Sequence, residues 1–394
     1  MIKIDAELND IDRELLNEVP QLVECDSSDV LFVDIETTGL SPKTSDIYLI
    51  GTAFFEGGNF KIRQFFAESA MEEKEILSAF SEFVNGYKTL VHFNGDKFDL
   101  PFMDAKYKKY DMINPLEALS SYDIYKKVKP YKLQLGLSDC KQKTIELFLG
   151  IEREDKYSGG KLIPVYEDYK KTKSREALEL LLLHNADDVR GLFRILPVLK
   201  YHEFFSLFKN MPKVSVKTDE PVDDSSFDNN LPVRASKVQA NYYTDIDGSR
   251  KQEVFMKLKL PFELPVPLSG NVSSCFFKTD KNEATLRVPL YETELKYFYA
   301  NYKDYYYLPR EDMAIHKSLA TFVDKNYREK AKPENCYTKK EGQYLVEWDL
   351  VFAPFFKRDY EDKSFFFDLT ENMKKSRFAM SLYASHVIAH ILDN

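Results

Sequence analysis

Three short stretches of this 394-residue chain gather side chains that can hold cations or move protons. In Asp34-Ile35-Glu36-Thr37-Thr38-Gly39-Leu40, two acids stand at i and i+2 within and after an apolar run. Such positions in a strand face the same side, so Asp34 and Glu36 project together. Carboxylates side by side at the end of a buried strand repel each other and lose hydration. A divalent cation offsets both costs, and an all-oxygen ligand set favours Mg²⁺ or Mn²⁺. A solvent-exposed strand end would instead make them ordinary surface charge. In Phe93-Asn94-Gly95-Asp96-Lys97-Phe98-Asp99, Asn-Gly marks a turn out of a strand and into a helix. Asp99 then sits early in that helix, and Asp96 reads as a cap. In His184-Asn185-Ala186-Asp187-Asp188, His184 and Asp188 are i and i+4 and share one helix face, with Asp187 at the surface. In a Leu-rich helix that pair is costly without a role; the plain alternative is a core histidine with its hydrogen bonds satisfied.

The elements that would position these groups alternate in type. Residues 31–35, 47–55, 60–66 and 89–93 are strand-like runs. Glu56-Gly57-Gly58-Asn59 closes a hairpin between the second and third. Ile76, Leu77, Phe80, Phe83 and Val84 form one apolar stripe, which predicts a helix over 72–84. A long helical pattern covers about 174–206, with Ser174 as its N-cap. The pattern is that of an α/β fold, a mixed sheet carrying flanking helices.

FVDIETTGL, FNGDKFD and HNADDV, in this order, resemble the three motifs of the DEDD 3′–5′ exonucleases, which have a ribonuclease-H-like fold. Within that superfamily the chain resembles the bacterial YprB-like family, over roughly residues 28–205. Residues 122–125 and 137–150 look like the middle of that family. The resemblance implies that Asp34, Glu36, Asp99 and Asp188 hold two divalent ions, Mg²⁺ or Mn²⁺. It implies that His184 is the general base that deprotonates or orients a water. The product would be a nucleoside 5′-monophosphate and a shortened strand of DNA or RNA. The histidine branch of the superfamily has His five residues before the last Asp; here His184 stands four before Asp188, the spacing of the tyrosine branch. Thr37, Asn94, Phe98 and Lys143 are candidates for contact with substrate. Gly39 would let backbone approach the strand end, and Asp123 reads as a supporting acid.

The rest of the chain differs in composition. The linker-like stretch 217–230 holds five acids and little to bury. Residues 231–394 carry a net charge near +2 and 28 of the 56 aromatics, leaving −11 of the total −9 (−9 minus +2) to residues 1–230. The expected organisation is an N-terminal extension (1–27), a ribonuclease-H-like domain (28–210), an acidic linker (211–232) and an aromatic-rich α+β domain (233–394). Within the last, 254–260, 272–277, 284–290 and 344–352 look extended, and 314–330 and 371–392 helical. Tyr297–Arg310 interleaves Tyr with basic residues, which suits either base stacking or an aromatic core.

The net charge of −9 excludes a wholly basic nucleic-acid-binding surface but not a local groove. No signal peptide, membrane span or Cys-X-X-Cys pair is apparent, and the four cysteines read as reduced thiols of a cytoplasmic protein. The leading expectation is a metal-dependent 3′–5′ exonuclease with a nucleic-acid partner, single-stranded or a 3′ end. The alternative is a non-catalytic nucleic-acid-binding or scaffold protein on the same fold.

Overall fold

The computed structural model describes residues 1–9, 11–152, 159–222, 224, 231–244 and 248–393. The chain divides into two compact units, Met1–Glu203 and Phe204–Asn394. Along the first run β1 (Ile2–Glu7), α1 (Arg13–Leu22), β2 (Val30–Thr37), β3 (Ile47–Glu56), β4 (Asn59–Phe66), α2 (Glu73–Val84), β5 (Thr89–His92), α3 (Asp99–Lys109), β6 (Ser120–Asp123), α4 (Ile124–Val128), α5 (Gln142–Phe148), α6 (Gly159–Thr172) and α7 (Arg175–Ile195), with α8 (Leu199–Lys209) next.

One six-stranded sheet organises the first unit, in the order β1-β4-β3-β2-β5-β6. β1, β4, β3 and β2 pair antiparallel, whereas β5 pairs parallel with both β2 and β6. The segment expected to be an N-terminal extension thus supplies an edge strand, because Ile2–Glu7 pairs along Lys61–Phe66. Gly57 and Gly58 take positive φ in the β3–β4 turn, as a two-residue hairpin requires.

Both faces of the sheet are covered. Val33 and Ile35 point into a core with Ile76, Phe80, Phe102 and Met103 of α2 and α3. On the other face Tyr48, Leu49 and Phe66 meet Tyr166 of α6 and Leu181 of α7, and Phe32 packs on Phe193 of α7 with ring centroids 4.0 Å apart. Asp34 and Glu36 alternate with Val33 and Ile35, so they share the α7 face. Ser174 Oγ accepts the N–H of Ala177 and starts α7 where the sequence places the cap.

The second unit contains β7 (Val216–Lys217), β8 (Arg234–Thr244), β9 (Arg250–Lys259), β10 (Ser269–Val272), β11 (Cys275–Asp280), β12 (Glu283–Phe298), β13 (Tyr305–Leu308), β14 (Met313–His316), α9 (Lys317–Ala320), β15 (Glu329–Lys330), β16 (Tyr337–Glu347), β17 (Phe352–Ala353), β18 (Phe355–Phe356), β19 (Phe365–Asp368), α10 (Glu371–Lys375) and α11 (Arg377–Asp393). An antiparallel eight-stranded sheet carries α11 on one face. That helix is apolar all round and almost wholly buried.

Four expectations for this unit change. Residues 314–330 are not one helix: Met313–His316 pair with Tyr305–Leu308, the short α9 spans only Lys317–Ala320, and Asp324 caps a local turn at Asn326. Ala314 and Ala320 are buried, but the larger apolar residues of the pattern, Leu319 and Phe322, are exposed and give a longer helix nothing to pack on. The helix over 371–392 breaks at Ser376, whose hydroxyl accepts the N–H of Ala379 and starts a second helix. The extended run 272–277 is a hairpin folded at Ser273 and Ser274, both at positive φ. Of the expected acidic linker, residues 223 and 225–230 lie outside the described residues. The described part is not simply solvated chain: β7 pairs with β17, and Asp224 accepts the N–H groups of Arg377 and Phe378 at the start of α11.

Candidate active site

The three motif stretches meet around the C-terminal part of β2, an interior strand of the six-stranded sheet. β2 ends with a register shift between Glu36 and Thr37, where its pairing moves from Leu49 to Ile47. Such a bulge re-aims the side chains at a strand end. His184 Nε2 lies 3.5 Å from Glu36 Oε1 and 3.3 Å from Asp188 Oδ2. One donor atom from each of these three residues falls within 4.8 Å of the other two. Glu36 and His184 are buried, and Asp188 is partly so.

Asp34 and Asp99 belong to the same electrostatic cluster. Burial, then the charges of Asp188, Glu36 and Asp99, push the Asp34 carboxyl well above the usual carboxylate range. Asp99 opens α3 and accepts the backbone N–H of Ile35 at 3.2 Å, which ties α3 to the middle of β2. Burial raises its carboxyl to about 7 although that N–H favours the charged form.

A polar row beneath Asp34 was missed by the sequence reading. Asp34, Gly51 and Gln64 stand opposite one another across β2, β3 and β4. Asn185 of α7 lies across this row. Its amide nitrogen donates to Asp34 Oδ2 at 3.0 Å, and its oxygen accepts from Gln64 Nε2 at 2.9 Å. Gly51 makes room for it: a Cβ there would lie 2.0 Å from Asn185 Oδ1. A lone Gly in the apolar run of β3 and a Gln in the apolar end of β4 were the available signals, since strand glycines mark close approach. Tyr48 was also missed. Its hydroxyl is buried with no hydrogen-bond partner among the described residues, and burial, then the nearby Glu36 charge, push its pKa well up.

The turn that delivers Asp99 rests on His92. His92 Nδ1 accepts the N–H of Gly95, and Nε2 bonds Ser121 Oγ at 2.8 Å. With Nδ1 accepting, the proton sits on Nε2, and burial lowers the pKa of this ring, so it stays neutral. A Cβ on Gly95 would lie 2.6 Å from the His92 ring. Asp123 accepts the N–H groups of Asn94 and Tyr125, bracing the same turn while capping α4. Asp96 is not a helix cap; it takes the Ser121 hydroxyl and the Lys126 ammonium.

The four candidate substrate contacts take varied positions. Thr37 donates its hydroxyl to Gly39 O at 2.8 Å, and Asn94 holds a left-handed φ of 60° at the turn. Phe98 sets its ring on Phe102, centroids 5.6 Å apart. Lys143 follows Gln142 on α5, and Gln142 donates to the backbone oxygen of Asp188 at 3.2 Å. Asp187 is partly buried and paired with Arg190 rather than lying simply at the surface.

Residues 31–200 match the family model of the RNase H superfamily, RNase_H_2. This region has an RNase H-like fold. No curated protein matches the chain. Among solved structures, the family B DNA polymerase of the hyperthermophilic archaeon Pyrobaculum calidifontis is 15% identical over 45% of this chain and 25% of that one, with a TM-score of 0.37. Exonuclease I of E. coli in complex with a dT13 oligonucleotide is 12% identical over 58% of this chain and 54% of that one, with a TM-score of 0.29. The chain therefore spans about a quarter of the polymerase and just over half of the exonuclease. Among the described residues no helix of the RNase H-like unit, or of the second unit, is long and apolar enough to cross a membrane.

The donor set of the RNase H-like unit fits divalent metal. It is dominated by carboxylate oxygens, and the Asp34 carboxyl is pushed up by burial and then by neighbouring acids whose charge a bound cation would offset.

Proposed function

We propose that this chain is a metal-dependent nuclease, a 3′–5′ exonuclease of the DEDD type acting on DNA or RNA. The observation that carries the reading is the approach of donor atoms of Glu36, His184 and Asp188 to within 4.8 Å, beside an Asp34 whose carboxyl is pushed up by burial and by the charges of Asp188, Glu36 and Asp99. Asp34, Glu36, Asp99 and Asp188 would hold two divalent ions, Mg²⁺ or Mn²⁺. Bound there, the ions would supply Lewis acidity and offset phosphate charge where the strand enters.

The chain's own residues account for the remaining tasks. Asn185, fixed by Gln64, orients the Asp34 carboxylate. The Ile35 N–H and the His92-braced turn fix Asp99. His184 Nε2 takes the proton from a water held among the carboxylates, and the water oxygen bonds to phosphorus as the 3′ oxygen of the next nucleotide leaves. A nucleoside 5′-monophosphate and a strand shorter by one residue result.

The test is incubation with 5′-labelled single-stranded DNA and RNA in Mg²⁺, Mn²⁺ or EDTA, beside Asp34→Asn, Glu36→Gln. Metal-dependent laddering from the 3′ end, absent in the variant, is the expected result. Equal cleavage by the variant would overturn the site. Binding without cleavage under either metal would favour a non-catalytic binding protein on this fold.

A further inference from the structure

The tyrosines that the sequence singles out in 297–310 are mostly used internally. Tyr299 and Tyr305 stack at 4.3 Å and pack on Ala314, Ala331 and Cys336. Tyr307 gives its hydroxyl to Asp312. A different surface of the second unit presents aromatic rings outward.

β8, β9, β12 and β11 lie side by side, with α11 on one face of this part of the sheet. Directly opposed residues of antiparallel strands point the same way. The register sets Lys237, Lys257, Thr285 and Lys278 in one row and Gln239, Phe255, Arg287 and Phe276 in the next. Asn241, Glu253 and Pro289 form a third, and Tyr243 stands opposite Lys251. Tyr291, two residues beyond Pro289 on β12, continues the same side. The alternate residues Val254, Met256, Leu258, Leu286 and Val288 are buried on the opposite face.

The outward face therefore carries four aromatic rings, Tyr243, Phe255, Phe276 and Tyr291. They alternate with five cations, Lys237, Lys251, Lys257, Lys278 and Arg287. Phe276, a large apolar ring, is 39% exposed. In these rows the one acid, Glu253, pairs with Arg287 at 2.8 Å, and in the next row on this side Arg234 and Lys259 balance Asp280 and Glu283, so the four lysines leave the face net positive. Arg358 lies over the Tyr291 ring, adding charge at that end, where a cavity of about 640 Å³ opens between Tyr243 and Tyr291.

We propose that this sheet face binds a single strand of nucleic acid. Unpaired bases expose flat rings that stack on aromatic side chains, and each phosphate meets a neighbouring Lys or Arg. A duplex buries its bases and would meet the charges alone. The rings are on rigid strands, so they are presented before the ligand arrives, and the charge of the face is opposite to that of the strand. The site is separate from the carboxylate cluster of the RNase H-like unit and does not depend on cleavage there.

The test is fluorescence anisotropy of a 5′-labelled 15-nucleotide oligo(dT) with the full chain in EDTA, where cleavage needing a divalent ion is silent. Native protein binds, and a duplex of equal length competes at least about tenfold less well. Tyr243→Ala with Phe276→Ala weakens binding by about tenfold or more. Lys257→Gln with Lys278→Gln lowers the slope of log affinity against log salt by about 1.4. Asp34→Asn with Glu36→Gln binds like native protein. Absence of binding in EDTA, unchanged affinity and salt slope in both surface variants, or loss of binding in the carboxylate variant would each overturn the proposal. The two surface variants touch different residues, so failure of one to fold leaves the other decisive.

Discussion

Glu36, His184 and Asp188 in one place, and His92, Asp96 and Asp123 in another, each gather a histidine with two acids whose donor atoms lie within 4.8 Å of one another. Residue type and spacing do not separate them; their surroundings do. Around His92 nearly every polar atom has a structural partner: the Gly95 N–H, the Ser121 hydroxyl, the Lys126 ammonium and the N–H groups of Asn94 and Tyr125. Asp123 Oδ2 alone has no hydrogen bond among the described residues. Burial raises the Asp96 carboxyl, but Lys126 and Ser121 outweigh it and hold it low. Beside His184 the pressure has another source: burial, then the charges of Asp188, Glu36 and Asp99, drive the Asp34 carboxyl up although Asn185 donates to it. The first pattern holds a turn together; the second is the kind of donor set that a divalent cation fits. A metal at His92 would have to displace the hydrogen bonds that hold the turn.

The sharpest way to break this comparison is to neutralise one acid in each cluster. Glu36→Gln is expected to lower metal-dependent cleavage by about 10³-fold, equivalent to ~4 kcal/mol of barrier. Asp96→Asn should change it by less than about tenfold; a comparable loss in single-turnover assays would erase the distinction. His184→Ala is expected to cost about 10²-fold in single-turnover cleavage. An unchanged rate would remove the general-base role.

The supporting residues should be read in stability. Gly51→Ala forces a methyl against Asn185 and is expected to destabilise the RNase H-like unit by roughly 1–3 kcal/mol. Cleavage should fall with it, because Asp34 loses its amide partner. His92→Ala leaves the buried Gly95 N–H without its acceptor, which costs about 1–3 kcal/mol in urea unfolding. Normal stability in either variant would show that these contacts do not hold the site.

The second unit extends the comparison to a lone acid. Glu347 is fully buried, accepts the N–H groups of Val351 and Phe352, and is pushed by burial from 4.5 to about 8. A carboxyl raised in the folded state binds more protons than the unfolded chain between those values. Its contribution is therefore full below about pH 4.5 and is lost as pH rises towards 8. Glu347→Gln should flatten that decline in thermal melting, by up to roughly 4 kcal/mol at pH 8. Added Mg²⁺ should leave the Glu347 component unchanged, since the largest pressure on it is burial, with the Asp349 charge a lesser one. A decline that persists in the variant would assign it to other groups.

Much of the first unit was legible from local pattern. Strand runs, the Gly57-Gly58 turn, the α2 stripe and the Ser174 cap each follow from residues within one or two turns of chain. Asp34 and Glu36 sharing a face, and His184 and Asp188 sharing another, follow from the periods of strand and helix. The second unit was less legible, because short aromatic strands and Tyr-rich loops have similar compositions whether their rings are buried or displayed.

By itself, then, the sequence determined which side chains travel together: two acids at a strand end, one at a turn, a histidine and an acid on one helix. Only the tertiary structure decided which of these meet and which polar atoms are satisfied. Asn185 reaches Asp34 over Gly51 because α7 crosses three strands that come from far earlier in the chain. His92 becomes a brace because Ser121 of β6 is brought beside it. Local periodicity sets where a side chain faces; the partner waiting there, and hence its charge and role, depends on residues far away in sequence.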